Sequence, residues 1–337
     1  MGVQKYSLRI NAAQQGVRLD QFLAVALPKT LGREVTNGQL RKLIEAGAVN
    51  LDGRPERSVA RTLSAGARVD VFADVARFSK KADDGKASVR LETPRSGFVA
   101  SQILFEDEWL IAVDKPVGLP TQPTLDESRA NVFGLLKDFL QKRDGGTPYL
   151  GLHHRLDRDT TGVVLFTKDQ KANAGVAALF STRALQKTYQ ALCLAGSSCP
   201  ESWEVKNHLG VVARAGKASK FGAVRSGGDS AHTTFKVLEH FPGALLVEAQ
   251  PHTGRTHQIR VHLAEGGMSI LGDTFYGGPA DLRLKSGANL HSARVMLHAA
   301  ALEFSHPVTN AVVRVCSVLP DDFDACLKQL RGTAPSV

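Results

Sequence analysis

No stretch of this 337-residue chain approaches the roughly 18 uninterrupted apolar residues that a membrane-spanning helix needs, so the sequence excludes a helical span. Met1–Tyr6 carries no apolar h-region and no small-residue cleavage site, which argues against a secretory signal. Gly2 does not open a myristoylation motif, because Tyr6 stands where that motif requires Ser or Thr. The expected location is therefore cytoplasmic, with no membrane partner. Cysteine is scarce. Cys193, Cys199, Cys316 and Cys326 form no CxxC pair, which argues against a zinc site and fits reduced thiols. His252, His257 and His262 are spaced five apart, so they do not share one helix face as zinc ligands require. No cofactor motif and no internal repeat is present.

What the chain does have is positive charge and enough apolar content for a sizeable core. Lys and Arg number 42 against 33 Asp and Glu, a net charge of +9, and 43% of residues are hydrophobic. An excess of positive charge attracts polyanions, chiefly nucleic acid, although charge alone is equally compatible with simple solubility. The length suggests two domains.

Residues 16–74 read as a small module. Leu19, Phe22, Leu23, Ala26 and Leu27 recur along one face of a helix. Thr36 and Gln39 have capping-box spacing for a second helix, with Leu40, Leu43 and Ile44 inward and Arg41 and Lys42 on the outer face. Gly47 can end that helix in a left-handed conformation. Val49 and Leu51 alternate as in a strand, Asp52-Gly53 signals a hairpin turn, and a last strand runs from Arg68 to Phe72. The segments Arg18-Leu19-Asp20-Gln21-Phe22-Leu23, Leu43-Ile44-Glu45-Ala46-Gly47-Ala48-Val49 and Asp52-Gly53 resemble the S4 RNA-binding domain. That resemblance implies a basic helix pair resting on structured RNA, with Arg41 and Lys42 as candidate contacts.

The charged run Ser79-Lys80-Lys81-Ala82-Asp83-Asp84-Gly85-Lys86 lacks apolar periodicity and reads as linker. Beyond Ile103, strand-like and helix-like segments alternate without a strict βαβ rhythm. Gly162–Thr167 is a buried-strand candidate, 169–182 suits a helix, and Lys187–Leu194 and Ala244–Gln250 suit strands. Val212–Ser230, rich in Gly, Ser and Lys, is expected to be a long surface hairpin or a flexible loop.

The chemistry-bearing segment is His153-His154-Arg155-Leu156-Asp157-Arg158-Asp159-Thr160-Thr161-Gly162, directly before the buried-strand candidate. Charged residues crowded there are costly to desolvate unless paired, and loops held by rigid strands are where catalytic groups concentrate. A plain turn, with Asp159 and Thr160 capping local amides, accounts for part of the same pattern.

His154-Arg155-Leu156-Asp157 followed by Thr160-Thr161-Gly162 resembles the signature of the RluA family of pseudouridine synthases. Further blocks match in the family's order: Asp114-Lys115-Pro116-Val117-Gly118-Leu119-Pro120, Lys187-Thr188-Tyr189-Gln190-Ala191, Thr253 through His262, Leu271 through Gly277, and Leu297-His298-Ala299. The resemblance implies an α+β fold. A mixed, largely antiparallel-sheet catalytic domain is expected over residues 99–337. A small N-terminal αβ RNA-binding domain over 1–75 and a linker over 76–98 should precede it. The implied activity is isomerisation of uridine in structured RNA, most naturally large-subunit ribosomal RNA, by a monomer without a cofactor.

The resemblance also assigns roles. Asp157 matches the catalytic carboxylate, for which three actions are open: addition to the base, attack on the sugar carbon, or proton abstraction. Arg260 matches the arginine that pairs with it, a permanently charged planar fork. Tyr189 matches the tyrosine that packs on the target base. Arg155 is a candidate to fill the space left by the flipped base or to contact phosphate, and His154 is a further RNA-contact candidate. Lys115-Pro116 reads as shaping the domain edge rather than performing chemistry. Competing readings are a transfer-RNA synthase, an RNA-binding or assembly factor without catalysis, and a glycosidase-type hydrolase pairing Asp157 with Asp159.

Overall fold

The computed structural model describes residues 4–32, 35, 37–73, 98–123, 129–196, 199–215, 218–284 and 287–332. The chain divides into two compact units, residues 1–87 and 88–337. The proposed capping residue Thr36, the side chain of Lys42 and the charged run 79–86 lie outside the described residues.

In the first unit, β1 (Gln4–Arg9) precedes helices α1 (Leu19–Leu31) and α2 (Asn37–Glu45), then β2 (Val49–Leu51), β3 (Arg54–Pro55) and β4 (Arg68–Ala73). The strands form an antiparallel sheet in the order β1-β4-β2-β3. The apolar periodicity of α1 and α2 places Leu19, Phe22, Leu23, Leu27, Leu40 and Ile44 in one core with Val49, Val69 and Val71. The Asp52-Gly53 turn between β2 and β3 has both residues at positive φ (49° and 81°), the twist that a tight two-residue hairpin requires. Gly47 follows α2 at φ 73°. The first strand, β1, was not apparent from the sequence. Its lysine, arginine and glutamine leave little apolar alternation, and it is held by pairing with β4.

The second unit contains a large sheet, antiparallel except where one strand pair runs parallel. Its strands are β5 (Ile103–Glu106), β6 (Leu110–Lys115), β7 (Gly151–Leu152), β8 (Thr161–Thr167), β9 (Gln186–Leu194), β10 (Ser202–Ala215), β11 (Ala218–Ala223), β12 (Asp229–Phe241), β13 (Ala244–Pro251), β16 (Leu297–Ser305) and β17 (Val312–Cys316). A small separate hairpin joins β14 (Asp281–Arg283) to β15 (Asn289–His291). Four helices accompany the strands: α3 (Val132–Asp144), α4 (Asn173–Ser181), α5 (Gln258–Glu265) and α6 (Asp321–Arg331). The main path runs β11-β10-β12-β13-β9-β16-β8-β6-β5. The parallel pair is β8 with β16, and every other neighbouring pair of described strands along the path is antiparallel.

The unbroken apolar runs of β6 and β8 have a physical reason. Ile111, Val113, Val164 and Phe166 pack with Leu136 and Leu140 of α3, while Leu110, Ala112, Val163 and Leu165 pack with Val176 of α4. Both faces of these strands are covered, so neither can alternate with polar residues. Gly162 opens β8 at φ 111°, and a Cβ there would lie 2.2 Å from the carbonyl oxygen of Ala299 on β16. Only glycine permits so close an approach of the two backbones. Within 212–230, residues 212–215 and 218–223 belong to the paired strands β10 and β11, which extend the sheet. Residues 169–182 begin with a single 3₁₀ turn at Gln170–Ala172 before α4.

Candidate active site

Asp157 lies in the loop between β7 and β8, and that loop is gripped through its backbone. Thr121 Oγ1 accepts from the N–H of Leu156 (3.0 Å) and donates to its carbonyl (2.9 Å). The Arg158 carbonyl accepts from the N–H of Gly118 (3.0 Å) and from Lys115 Nζ (2.8 Å). The Thr160 N–H closes the turn onto the Asp157 carbonyl at 3.1 Å.

Lys115 is 0% exposed and also donates to the carbonyls of Pro116 (3.0 Å) and Leu119 (2.8 Å). Burial pulls its pKa down to about 7, while the charges of Asp159 and Asp157 hold it up. The geometry favours the ammonium. Three carbonyl acceptors require three N–H donors, and a neutral amine has two. Lys115 thus ties β6 to the loop that carries Asp157.

Arg260 sits on α5, and its Nη1 donates to Asp157 Oδ2 at 3.0 Å. Its two-pronged grip, however, is on Asp273, with Nε to Oδ2 at 2.7 Å and Nη2 to Oδ1 at 2.8 Å. Asp273 is 1% exposed, whereas the side chain of Asp157 is 30% exposed and reaches the cavity. A partner for Arg260 beyond Asp157 was not foreseen, though Asp273 stands in the Leu271–Gly277 block. The preceding Gly272 is the local signal: a Cβ there would meet the Arg294 carbonyl oxygen at 1.8 Å, so its φ of 79° is enforced. Burial opposes the charge of Arg260, but Asp273 and then Asp157 overcome it and hold the guanidinium firmly protonated.

The helix α5 has no solvent face along its first six residues. Gln258 through Leu263 are all buried, because β11, β12, β13 and the 274–276 turn pack around the helix. A polar side chain on any face must then be partnered. His262 meets Thr233 Oγ1 (2.9 Å) and Asn207 Oδ1 (3.0 Å), and Gln258 binds Thr253, Thr233 and two backbone groups.

His257, which the sequence offered only as an unsuitable metal ligand, stands at the start of α5 at φ 58°, a strained conformation for a non-glycine residue. Its Nδ1 is 2.8 Å from the Tyr276 hydroxyl, which also accepts from the N–H of Phe221 at 3.1 Å. Its Nε2 is 3.7 Å from Asp157 Oδ2. Burial lowers its pKa, against the pull of Asp157 and with the help of Arg260. The Arg260 guanidinium lies over the Tyr276 ring, 5.0 Å from its centroid.

Tyr189, on β9, lines the same cavity and is partly buried among Leu156, Ala299 and their neighbours. Burial, and then the charge of Asp157, push its phenol well above the ordinary range. His154 also lines the cavity. Its Nε2 accepts from the N–H of Leu165 at 2.9 Å and its ring stacks on Phe180, so the imidazole is neutral and offers Nδ1–H rather than a charge. Burial drops its pKa to about 3. Arg155 is exposed at the rim and donates to Thr256 Oγ1 at 3.2 Å. Asp159 does not cap local amides as the turn pattern suggested. Its carboxylate is held by Arg158 at 2.8 Å on both oxygens, and it does not line the cavity. Arg41 is half-buried on α2 in the other unit.

The cavity holds about 530 Å³ and brings Asp157, Tyr189, Arg260, His154 and Arg155 to one place, with Arg183, Lys187 and Arg255 at its wall. Among the described residues that line it, Asp157 is the only carboxylate. That composition suits an anionic ligand whose reacting part lies against one carboxylate held by an arginine.

Comparison with known proteins identifies the family. A family model described as RNA pseudouridylate synthase matches residues 109–265. The ribosomal large subunit pseudouridine synthase C of Yersinia pestis is 32% identical over 336 residues, covering 97% of this chain and 96% of that protein. The ribosomal large subunit pseudouridine synthase D of Zymomonas mobilis is 31% identical, covering 94% of each. Among solved structures, human RNA pseudouridylate synthase domain containing 4 superposes with a TM-score of 0.55 at 30% identity, covering 68% of this chain and 93% of that one. The chain belongs to the RluA family of RNA pseudouridine synthases, isomerases that act on RNA.

Proposed function

We propose that the chain isomerises uridines of large-subunit ribosomal RNA, with Asp157 as the carboxylate at the reacting nucleotide, Arg260 as its counter-ion and Tyr189 as the surface against which the target base packs. The observation that carries this is Asp157, the one carboxylate among the described cavity residues, bound by Arg260 at 3.0 Å. The relatives' names supply the RNA class, and the block of residues 153–162 supplies the carboxylate.

The reaction breaks the bond between uracil N1 and the sugar C1′, turns the base, joins C5 to C1′, and moves the C5 proton away while N1 gains one. It is redox-neutral. Asp157 reaches the cavity with one oxygen held by Arg260, and its remaining lone pairs face the space that the nucleotide would occupy. The uracil must leave the RNA stack, and the Tyr189 ring replaces part of the stacking lost. The neutral His154 fits a hydrogen-bond donor to an uncharged group, and Arg155 fits a phosphate or the space vacated by the base. The first unit, with Arg41 and Lys42, is proposed as an S4-like RNA-binding domain that contributes affinity rather than chemistry. We further propose that the protein acts as a cytoplasmic monomer.

Pseudouridine yield on transcribed large-subunit ribosomal RNA, mapped by position, tests the reading. Asp157→Asn is nearly isosteric but neither nucleophile nor base. Arg260 keeps its two bonds to Asp273 in this variant, so stability should change by only about 1 kcal/mol. The expected outcome is a folded protein that binds RNA and makes no pseudouridine. A folded Asp157→Asn protein with near-normal yield would remove Asp157 from the chemistry.

A further inference from the structure

A second basin, open and of about 490 Å³, adjoins the Asp157 cavity. Phe221 of the β10–β11 hairpin and Phe275 of the 274–276 turn form its walls, with Arg155, Thr256, His257 and Arg260 shared between the two spaces. The Phe221 and Phe275 rings meet the His257 imidazole nearly edge-on, at 5.9 Å and 78° and at 6.0 Å and 80°. Both phenyl rings are only partly buried. Its described lining residues include two arginines and no carboxylate. Lys220, the residue before Phe221, is exposed and carries its Nζ over the Tyr276 ring at 5.6 Å. The reaction at Asp157 uses neither phenylalanine.

We propose that this basin is a second base-binding subsite, which holds the base of a nucleotide adjacent to the target uridine against Phe221 and Phe275. Open aromatic surface ringed by cations is the chemistry that takes a nucleobase together with its phosphate, and it tolerates sequence because every base has a π-face. Arg155, bonded to Thr256 at 3.2 Å, lines both cavities together with Thr256, His257 and Arg260, so this group of four stands between target and neighbour. The subsite is coupled to the reacting centre. The backbone N–H of Phe221 holds the Tyr276 hydroxyl, which holds His257 beside Asp157. Seating a base against Phe221 therefore sets the hairpin that positions this chain of contacts. The inference rests on the RNA reading above.

The test uses the full-length protein and two probes. On transcribed large-subunit ribosomal RNA, Phe221→Leu and Phe275→Leu keep apolar bulk but lose the π-face. Each should raise KM about 5- to 150-fold, the range that loss of one base–aromatic stack implies. Phe221→Tyr and Phe275→Tyr should restore it, at unchanged thermal midpoints. On a single-stranded RNA nonamer with a central uridine flanked by 2-aminopurine, binding to wild-type protein should quench the fluorescence, and the Leu variants should relieve the quench. Leu variants with wild-type KM and quench, or a defect that Tyr fails to rescue, would overturn the subsite. Failure of the RNA-isomerase reading is distinguishable. Wild-type protein would then form no pseudouridine in the transcript, and the 2-aminopurine quench alone would decide for or against the subsite.

Discussion

At the scale of single residues, Arg260 is asked for more than a counter-ion's work. It bridges an almost fully buried carboxylate, Asp273, and a partly exposed one, Asp157. The buried partner fixes the guanidinium plane, so the single bond to Asp157 arrives in one direction. Arg260→Lys keeps a charge but cannot hold both. It should cut turnover at least about 100-fold while lowering stability by about 2 kcal/mol, since Asp273 loses part of a buried ion pair. Thermal melting and single-turnover kinetics measured together check this, and a full-speed, fully stable Lys variant would refute the bridging role.

Lys187, two residues before Tyr189 on the same strand, titrates nearer neutrality than an ordinary lysine. Burial, with Arg183 and Arg255 nearby, brings its pKa down to about 8, and its Nζ donates to the Thr253 carbonyl at 3.0 Å. The sign follows directly: below about 8 the ammonium attracts phosphate, and above it the neutral amine does not. RNA affinity should therefore weaken as the pH rises from 7 to 9, and the salt slope should shrink by about 0.7–0.9 if one phosphate contact is lost. Lys187→Gln should bind more weakly at pH 7 and lose this pH step. Binding titrations at both pH values decide it, and a variant that retains the step would assign it elsewhere.

At the scale of elements, the loop bearing Asp157 owes its shape to β6 as much as to its own residues. The buried ammonium of Lys115 gathers three carbonyls, one of them from Arg158. Lys115→Met fills similar space but leaves those oxygens without their donor. At roughly 1 kcal/mol or more for each buried acceptor, stability should fall by about 3 kcal/mol. Denaturant unfolding should show the loss as a lower midpoint, and an unchanged midpoint would mean the loop holds itself. The sequence reading put Lys115-Pro116 at the domain edge, whereas Lys115 is buried beneath the Asp157 loop, a place that comes from the antiparallel pairing of β6 with β8. The same limit applies to α5. Its residues stood in a motif, yet their burial on every side was not legible, because most of the surrounding elements come from other parts of the chain.

At the scale of the molecule, the first unit has its own sheet and core, which is what lets affinity be separated from chemistry. A fragment beginning at Phe98 should retain pseudouridine formation at high RNA concentration but bind more weakly and with a smaller salt slope. Filter-binding across a salt series measures both, and unchanged affinity and slope would count against an RNA-binding first unit.

The sequence by itself determined the family and much of the local structure. Asp157, Tyr189 and Arg260 could be proposed as site residues because each stands in a motif, and α1, β2, β8 and β13 were legible because a run or a period of apolar residues specifies which side is buried. It did not determine what surrounds those residues. The grip of Arg260 on Asp273 spans 13 residues, the bond to Asp157 spans 103, and the chain from Phe221 through Tyr276 to His257 joins a hairpin, a turn and a helix. Local pattern carries information about the solvent side of an element and about its caps. Which ionised groups share a desolvated space depends on which strands pair, and strand pairing over long separations is decided only when the whole sheet closes.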